Sequence, residues 1–340
     1  MRVRILGAGI VGLACADELV RRGHDVVVHD PDPGRGASYA AAGMLSPSSE
    51  VWHGEEELLR LGLASIELWP ELADRLGVEL WDAGTLLVGY DAGDLQLVER
   101  QATLVERLGR TARPLDAREV RDREPGLARV TGGVLLPDDH SVDPRAVVAS
   151  LLARLDGAVV SSAARPGDPT DCDLTVVATG AVLPEPFGAL VRGVRGEILR
   201  LRSDDGPAAT VRGWVRGEPV YLVPRSTGEV VVGATTEEHD AAPVVTAGGV
   251  LRLLATARAL WPALDRAELV DAVARDRPGT PDNLPLVGPS GHAGVLLAAG
   301  HHRHGVLLAP LTASLVADCV EGHDPDPVLD PRRLTERSLR

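Results

Sequence analysis

Two arginines near the C-terminal end of the chain stand in sequence settings that could bind an anion. Arg277 opens the run Arg277-Pro278-Gly279-Thr280-Pro281-Asp282-Asn283-Leu284-Pro285, and Arg303 lies within Gly300-His301-His302-Arg303-His304-Gly305, just before an apolar segment. A guanidinium is a planar fork of N–H donors that can bind a carboxylate through two hydrogen bonds. The pair could therefore hold the carboxylate of a small acid. The alternative is that both are solvated or surface-paired, as arginines in loops usually are.

A tyrosine and a group of histidines are further polar candidates. Tyr221 lies on a predicted strand, where its hydroxyl could contact a ligand or its ring could simply pack in the core. His301, His302 and His304 are too closely spaced, ahead of a helix, to close around a metal ion. We therefore predict no metal site. The run Asp138-Asp139-His140 is interpreted as a polar turn.

A glycine-rich turn near the start of the sequence is typical of dinucleotide binding. An apolar strand at 2–6 leads into Gly7-Ala8-Gly9-Ile10-Val11-Gly12, a helical pattern runs to Gly23, and a second strand at 25–29 ends at Asp30. The glycines let the backbone approach a pyrophosphate at a helix N-terminus, and the acid can accept a hydrogen bond from a ribose hydroxyl. This βαβ unit predicts an adenine dinucleotide. A purely structural glycine turn is the alternative.

The small-residue run Gly36-Ala37-Ser38-Tyr39-Ala40-Ala41-Ala42-Gly43-Met44-Leu45 could let the backbone lie beside a flat ligand, or could be a flexible loop. Periodicity predicts the remaining elements. The predicted helices are 55–76, 93–109, 143–155, 246–261 and 305–321. The predicted strands are 78–81, 84–90, 133–137, 158–161, 174–178, 196–201, 211–215, 219–223, 229–233, 269–275 and 294–299.

The order of these elements predicts an α/β fold with two interleaved domains. The βαβ unit resumes as strands near 158, 174 and 294, and two insertions with antiparallel character interrupt it. A Rossmann-like FAD-binding domain is thus expected at 1–48, 140–192 and 270–340. A substrate-binding domain with a mixed or antiparallel sheet is expected at 49–139 and 193–269. Nicotinamide dehydrogenases more often keep the nucleotide-binding unit continuous.

Composition narrows the classes of partner and chemistry. The net charge of −14 argues against nucleic acid and anionic membranes, and no apolar run is long enough to span a bilayer. We expect no export signal, because a strand pattern begins at once. Three cysteines without metal-like spacing indicate a reduced, cytoplasmic protein. All 35 basic residues are arginines, which excludes a lysine Schiff base and a phosphate-binding lysine.

These motifs together resemble the D-amino-acid oxidase superfamily of FAD-dependent amine oxidoreductases and, within it, the glycine oxidases of thiamine biosynthesis. The resemblance covers nearly the whole chain. It is carried by Gly7-x-Gly9-x-x-Gly12, Ala40-Ala41-Ala42-Gly43-Met44-Leu45, Ala178-Thr179-Gly180, Gly193-Val194-Arg195-Gly196-Glu197, Tyr221-Leu222-Val223-Pro224-Arg225, Val232-Gly233-Ala234-Thr235, Arg277-Pro278-Gly279-Thr280, Gly300-His301-His302-Arg303-His304-Gly305 and Leu307-Leu308-Ala309-Pro310.

The resemblance implies that FAD is the cofactor. The glycine loop would hold the pyrophosphate, Asp30 the ribose, the segment 42–44 would lie beside the isoalloxazine, and 301–307 would offer backbone amides at the start of the last helix. The implied cofactor residues are Gly7, Gly9, Ile10, Val11, Gly12, Asp30, Pro31, Ala37, Ser38, Ala42, Gly43, Met44, Thr179, Gly180, His301, His302, Arg303, His304, Gly305, Val306 and Leu307. No cysteine falls in the C-terminal flavin loop, so we expect FAD to be bound noncovalently.

The resemblance also implies the chemistry. Arg277 would bind the substrate carboxylate, Tyr221 would support it through its hydroxyl, and Arg303 would contact substrate as well as cofactor. The expected reaction is oxidation of glycine by molecular oxygen to glyoxylate, ammonia and hydrogen peroxide. The alternatives are a D-amino-acid dehydrogenase, a sarcosine-oxidase-like enzyme, or a noncatalytic flavin-binding partner. The lack of a lysine disfavours the sarcosine-oxidase type. A homo-oligomer is left open.

Three positions depart from the family pattern. His304 stands where Asn is common, Thr236 stands where relatives can carry Met, and Asp276 precedes Arg277 and could partly neutralise it. Each departure concerns selectivity for the substrate side chain more than it concerns the reaction.

Overall fold

The computed structural model describes residues 1–335, so the last five residues of the expected segment 270–340 lie outside the described range. The strands are β1 Arg2–Leu6, β2 Asp25–His29, β3 Met44–Leu45, β4 Leu80–Trp81, β5 Thr85–Gly89, β6 Arg113–Asp116, β7 Gly132–Leu136, β8 His140–Val142, β9 Val159–Val160, β10 Leu174–Val177, β11 Arg192–Arg202, β12 Thr210–Val215, β13 Glu218–Pro224, β14 Glu229–Gly233, β15 Glu268–Gly279, β16 Leu286–Pro289 and β17 Val295–Ala299. The helices are α1 Ile10–Arg21, α2 Ala37–Ala40, α3 Glu56–Ile66, α4 Trp69–Leu76, α5 Ala92–Arg107, α6 Ala117–Arg123, α7 Pro144–Arg154, α8 Ala247–Leu260, α9 Ala309–Val320 and α10 Arg332–Thr335.

The predicted βαβ unit forms the centre of one sheet, which we call sheet A. Within residues 1–335 its strand order is β16-β17-β10-β1-β2-β9, and all pairs are parallel except β16 with β17. Helix α1 connects β1 to β2 and contacts α7 and α9. Because β1 and β10 are parallel neighbours, their carboxyl ends meet at one edge, with Leu6 opposite Val177. Ligands bind at such edges.

Burial of aliphatic side chains explains why this unit folds where the sequence places it. In β1, Val3 and Ile5 are fully buried, and in α1 so are Leu13 and Leu19. Each such side chain contributes roughly 1.5–3 kcal/mol relative to exposure in water. The glycine loop between β1 and α1 is therefore fixed from both sides.

A second sheet, called sheet B, lies in the insertions. In the described part of the chain its order is β15-β11-β14-β13-β12-β5-β7-β6, antiparallel throughout except for the parallel pair β5 and β12. The predicted mixture of a parallel nucleotide-binding sheet and a largely antiparallel sheet is therefore confirmed.

The short antiparallel sheet β3-β8-β4, called sheet C, joins parts of both expected domains. The strands of sheet A fall in 1–48, 140–192 and 270–340, and those of sheet B fall in 49–139 and 193–269, with two exceptions. Strand β11 begins one residue early, at Arg192, and strand β15 pairs with β11 as far as Gly279. We keep the two-domain division as a proposal, with β15 assigned to sheet B.

Several predicted boundaries were wrong. The helix expected at 55–76 is two helices, because Pro70 has no N–H to bond back to Ile66 and the helix breaks before Trp69. The strand expected to end at 275 continues through Pro278, and Arg277 therefore lies on a strand instead of in a loop. A proline is tolerated there because β15 is an edge strand.

Other predictions missed whole elements. Strand β6 and helix α6 were not predicted, because residues 113–123 are mostly charged and lack a clear apolar period. Strand β16 was also missed. The last helix begins at Ala309 instead of 305, and the preceding residues form turns in which Leu308 N donates to His304 O at 2.8 Å.

The pairing register puts a set of side chains on one face of sheet B, which we call the pocket face. Arg277 on β15 is opposite Val194, Gly233 on β14 is opposite Tyr221, and Tyr221 is opposite Arg212 on β12. Directly paired residues share a face. A bulge at Val270 separates the register of Glu268 and Leu269 from that of the rest of β15.

Candidate functional site

The glycine loop packs so closely against the protein's own backbone that two of its positions leave no room for a side chain. Gly7 has φ +107°, and a Cβ there would lie 2.3 Å from the Ala178 carbonyl oxygen. A Cβ on Gly12 would lie 2.0 Å from the Gly7 carbonyl oxygen. The loop therefore packs tightly against the end of β10, where Thr179 and Gly180 follow. The Thr179 hydroxyl donates to Val182 O at 2.8 Å.

Two side chains hold this loop in place. Asp30, at the end of β2, accepts from the Ala8 N–H at 2.7 Å and from the Asp32 N–H at 2.8 Å. Ser38 accepts from the Ile10 N–H at 3.0 Å through its hydroxyl oxygen. Each of these oxygens keeps a further lone pair with which it could contact a nucleotide. Gly9 and Pro31 lie in the two turns, Val11 is in the first turn of α1, and Ala37 begins α2.

The segment 42–44 approaches the pocket face of sheet B. Gly43 has φ +80°, and a Cβ there would come 1.9 Å from the Val142 carbonyl oxygen. Arg225 donates to the Ala42 carbonyl, and Ala42 packs in a buried apolar cluster that Met44 and Tyr221 flank. Within the small-residue run, residues 37–40 form α2, residues 44–45 form β3, and residues 41–43 connect the two.

The loop between β17 and α9 joins the two arginine motifs. His302, with φ +47°, donates its N–H to Pro278 O at 2.8 Å, and Gly300 leaves room for Thr280. His301 bonds Thr312 Oγ1 through Nε2 at 2.8 Å. The Leu307 carbonyl accepts from Ser65 Oγ at 2.6 Å and Trp69 Nε1 at 2.9 Å. Gly305 and Val306 lie within this anchored turn.

Arg277 reaches along the pocket face over a glycine. Its Nη1 is 3.3 Å from both Arg195 O and Thr235 O. A Cβ on Gly196 would lie 2.5 Å from the guanidinium nitrogens, so only glycine leaves this space. Burial lowers the pKa of Arg277, while its hydrogen bond to Tyr221 works in the opposite direction. The guanidinium stays charged, as arginines do in proteins.

Asp276 does not neutralise Arg277. Strand alternation turns it to the opposite face, where Asp276 Oδ2 accepts from Arg195 Nη2 at 3.1 Å. The expectation from sequence was wrong because it treated the two residues as neighbours in a loop.

Tyr221 lies beside Arg277 in the same way. A Cβ on Gly233 would come 2.2 Å from the Tyr221 hydroxyl, so the ring also occupies space left by a glycine. Burial raises the pKa of Tyr221 to about 12, against the effect of Arg277. The hydroxyl is therefore protonated and can donate to an anion. The core-packing alternative stays open, because the ring also packs against the buried apolar cluster that contains Ala42.

Glu50 and Arg212 belong to the site and were missed from sequence. Arg212 Nη1 donates to Glu50 Oε1 at 2.7 Å and lies 3.8 Å from Met44 Sδ. Arg303 Nη1 is 3.9 Å from Glu50 Oε1, and His304 Nδ1 is 3.7 Å from Oε2. The only sequence signal was that Glu50 ends the run Ser46-Pro47-Ser48-Ser49, directly after the small-residue motif.

Two buried acids near the pocket have pKa values shifted in opposite directions. Burial alone would raise the pKa of Glu50, but Arg212, Arg303 and His304 lower it to about 2. Burial raises the pKa of Asp139 to about 6, although Asp139 accepts from the Ser48 and Ser49 N–H groups at 3.0 and 3.2 Å. The polar-turn interpretation was therefore wrong for Asp139, which is a buried anchor, and for His140, which begins β8.

The histidines of the C-terminal loop are neutral near pH 7. Burial lowers the pKa of His301 and of His302 to about 3, and that of His304 to about 4. Neutral imidazoles add no positive charge beside Arg277 and Arg303.

Comparison with known proteins agrees with this geometry. The family model described as FAD dependent oxidoreductase matches residues 2–319. The chain belongs to this family. The expected resemblance is thereby confirmed, and so is FAD as the cofactor. The residues present fit this cofactor: Gly7 and Gly12 keep the loop after β1 free of side chains, and Asp30 at the end of β2 lies beside that loop.

Three relatives illustrate the similarity of this FAD-dependent oxidoreductase to other members. A putative thiamine biosynthesis oxidoreductase ThiO of Rhizobium etli is 35% identical, with 93% of this chain and 95% of the relative covered. The crystal structure of glycine oxidase from Geobacillus kaustophilus superposes with a TM-score of 0.84 at 31% identity, covering 95% of each chain. The bifunctional protein ThiO/ThiG of Trichormus variabilis is 34% identical over 96% of this chain.

The chain spans 53% of the length of that bifunctional relative. Within residues 1–335, no helix combines the length and apolar character needed to cross a bilayer.

Proposed function

We propose that this FAD-dependent oxidoreductase oxidises glycine with molecular oxygen, giving glyoxylate, ammonia and hydrogen peroxide. The observation that carries the proposal is the pairing of Arg277 and Tyr221 on the pocket face, beside segment 42–44. A guanidinium and a phenol donor side by side fit one carboxylate. The relatives named glycine oxidase and thiamine biosynthesis oxidoreductase support glycine as the substrate and thiamine biosynthesis as the pathway.

The residues of the pocket act mainly by orientation. Arg277 and Tyr221 hold the carboxylate, which orients the α-carbon so that one of its two C–H bonds is presented for hydride transfer. FAD, when bound, supplies the two-electron acceptor for the hydride. Well-oriented reactants can gain roughly 7–11 kcal/mol over reactants that meet in solution. We assign cofactor contacts to the glycine loop, Asp30, Ser38, segment 42–44 and residues 301–307.

Glu50, His301 and His304 are poorly suited to removing a proton from the bound ammonium. Glu50 holds its proton only below about pH 2, so it is a weak base. His301 and His304 have lowered pKa values and are equally weak. We therefore propose that glycine binds with its amine already neutral, or loses the proton to water or a backbone carbonyl.

Anaerobic addition of glycine to the purified yellow holoprotein tests the proposal. The flavin absorbance at about 450 nm should be lost when glycine is added. Admission of air should then restore the absorbance, with release of one hydrogen peroxide per glyoxylate. Loss of colour only with larger D-amino acids would make the glycine assignment wrong. Bleaching without peroxide in air would indicate a dehydrogenase, and no bleaching by any amino acid would indicate a noncatalytic flavoprotein.

The cellular setting is also part of the proposal. We infer a cytoplasmic protein, and the three unpaired cysteines support a reducing compartment. We propose a small amine and molecular oxygen as the reactants. Noncovalent FAD and the absence of a metal remain predictions, and the oligomeric state stays open.

A further inference from the structure

The proposed pocket holds more positive charge than one carboxylate needs. Arg277, Arg212 and Arg303 all act on the Tyr221 hydroxyl through space, and each lowers its pKa. Arg212 is on the strand next to Tyr221, and Arg303 is in the loop that His302 ties to the end of β15. Glycine offers a single negative group. Two of the three arginines therefore need another counter-ion, or they would attract a second anion.

Glu50 lies where such a counter-ion must be. One of its oxygens accepts from Arg212 Nη1 at 2.7 Å and is 3.9 Å from Arg303 Nη1. Its side chain is only 8% exposed, and that of Arg212 only 17%. The other carboxylate oxygen faces His304, which is neutral. Glu50 is therefore held between Arg212 and Arg303, whereas Tyr221 is hydrogen-bonded to Arg277.

The backbone that carries Glu50 is fixed from behind. Asp139 is fully buried and accepts from the N–H groups of Ser48 and Ser49, the two residues before Glu50. Gln101 donates to the carbonyl oxygens of Ser48 and Val51, at 3.3 and 2.7 Å. The backbone on both sides of Glu50 is thus held by hydrogen bonds, so the position of its carboxylate does not depend on a mobile loop.

We propose that Glu50 is a specificity-determining residue that neutralises Arg212 and Arg303, so that the pocket accepts substrates with one carboxylate and rejects those with a second acidic group. This inference rests on the proposed small-carboxylate site. With Glu50 in place, one strong anion site remains, at Arg277 and Tyr221. Without it, Arg212 and Arg303 form a second site, suited to the far carboxylate of a diacid.

Anion binding to the holoprotein tests this without relying on turnover. We would measure dissociation constants of acetate and malonate by isothermal titration calorimetry, at pH 8 and constant ionic strength. The proteins are the wild type, Glu50→Gln, Glu50→Asp and the double variant Glu50→Gln with Arg212→Met. Retained flavin absorbance and an unchanged far-ultraviolet circular dichroism spectrum show that a variant is folded and holds FAD.

In Glu50→Gln, the ratio of acetate to malonate dissociation constants should rise about tenfold or more, because a unit charge at contact distance is worth at least that much. Glu50→Asp keeps the charge and should stay near the wild-type ratio. The double variant lacks the Arg212 cation as well as the Glu50 anion, so its ratio of acetate to malonate dissociation constants should fall back towards the wild-type value. An unchanged ratio in folded Glu50→Gln overturns the proposal, and so does a raised ratio in Glu50→Asp.

Arg212→Met provides a second test if Glu50→Gln does not fold. Glu50 then loses its nearest cation and repels anions, so acetate should bind about tenfold more weakly. Unchanged acetate affinity would contradict the proposal. Because acetate and malonate are not oxidised, these results are readable even if glycine fails to bleach the flavin, and the two proposals can fail separately.

Discussion

Arg277 and Tyr221 show how single residues build the proposed carboxylate site. Each side chain lies over a glycine on a neighbouring strand, Gly196 for Arg277 and Gly233 for Tyr221. The backbone carbonyls of Arg195 and Thr235 take up two of the guanidinium's donor directions. The donors that remain are therefore held in a fixed direction before substrate arrives, which reduces the entropy lost on binding.

Arg277→Leu should remove the main arm of the clamp. We expect kcat/KM for glycine to fall by roughly 30-fold to several thousand-fold, corresponding to about 2–5 kcal/mol for a truncated buried charge pair. FAD should stay bound, since the glycine loop is untouched. Steady-state peroxide formation measures the first effect, and flavin absorbance measures the second.

Arg202→Leu is the matched control, because Arg202 lies on the same sheet but pairs with Glu268 at the surface. Its kinetics should match the wild type. Wild-type kinetics in Arg277→Leu would mean that the carboxylate binds elsewhere.

Tyr221→Phe isolates the phenol donor. A hydrogen bond to a charged group contributes about 1.5–3 kcal/mol, so KM for glycine should rise by roughly tenfold or more. The ring still fills the space over Gly233, and the thermal midpoint should change little. Parallel kinetic and thermal measurements separate the two effects, and a large loss of stability with an unchanged KM would assign Tyr221 to packing alone.

At the scale of elements, strand β11 positions the site from the middle of sheet B. Its register with β15 puts Arg277 on the pocket face and Asp276 on the other, and its glycine gives Arg277 room. The opposite face of the sheet carries α8, whose N-cap Thr246 donates to Glu197 of β11 at 2.7 Å. The strand is therefore held from both faces.

Gly196→Ala should disturb the site without unfolding the sheet. The new methyl group would meet the end of a flexible side chain, so Arg277 must swing away while the strands remain paired. We expect KM for glycine to rise by about tenfold or more and the thermal midpoint of unfolding to shift by only a few degrees. Gly248→Ala is the control, since nothing lies within 4 Å of that position. A normal KM for Gly196→Ala would exclude the close approach of Arg277.

Elements with strong local signals were predictable from sequence. The βαβ unit, α5, α7 and the strands β11 to β14 follow apolar periodicity and were placed within a few residues. The split at Pro70 was missed because the apolar spacing continues through it. The end of β15 was missed because its last residues carry charge and a proline, and only pairing with β11 makes them a strand.

The candidate site was predictable only in part, for a related reason. Arg277, Tyr221 and Arg303 were identified through motifs. Glu50 and Arg212 are 162 positions apart and meet only through the packing of segment 42–50 on sheet B. No local pattern marks such a pair, since a glutamate after serines and an arginine on a strand are both ordinary at a surface.

At the scale of the whole molecule, the buried neutral histidines make stability depend on pH. His301 is 3% exposed, and burial lowers its pKa to about 3 from about 6.5 in the unfolded chain. Between these values the unfolded chain holds more protons than the folded protein. The free energy of unfolding therefore falls as the pH falls below about 6.5.

Between pH 7.5 and 5.5, His301 alone should lower the free energy of unfolding by about 1.4 kcal/mol. Replacing it in His301→Asn should reduce the pH-dependent loss by that amount, whatever the variant's stability at pH 7.5. Urea unfolding in a fixed excess of FAD measures this. The exposed His53 provides the control, and His53→Asn should keep the wild-type difference. An equal pH difference in His301→Asn and wild type would contradict the buried neutral form.

The bulge at Val270 divides the pairing of β15 with β11 into two registers. Before the bulge, Glu268 and Leu269 pair in one register, and from Asp271 onward the strand pairs in another. A residue inserted or lost before the bulge can be absorbed there. The same change between the bulge and Arg277 would exchange Arg277 for Asp276 on the pocket face, and the polarity of the site would invert. The length of the seven-residue segment 271–277 of this edge strand therefore determines whether a positive or a negative side chain faces the substrate.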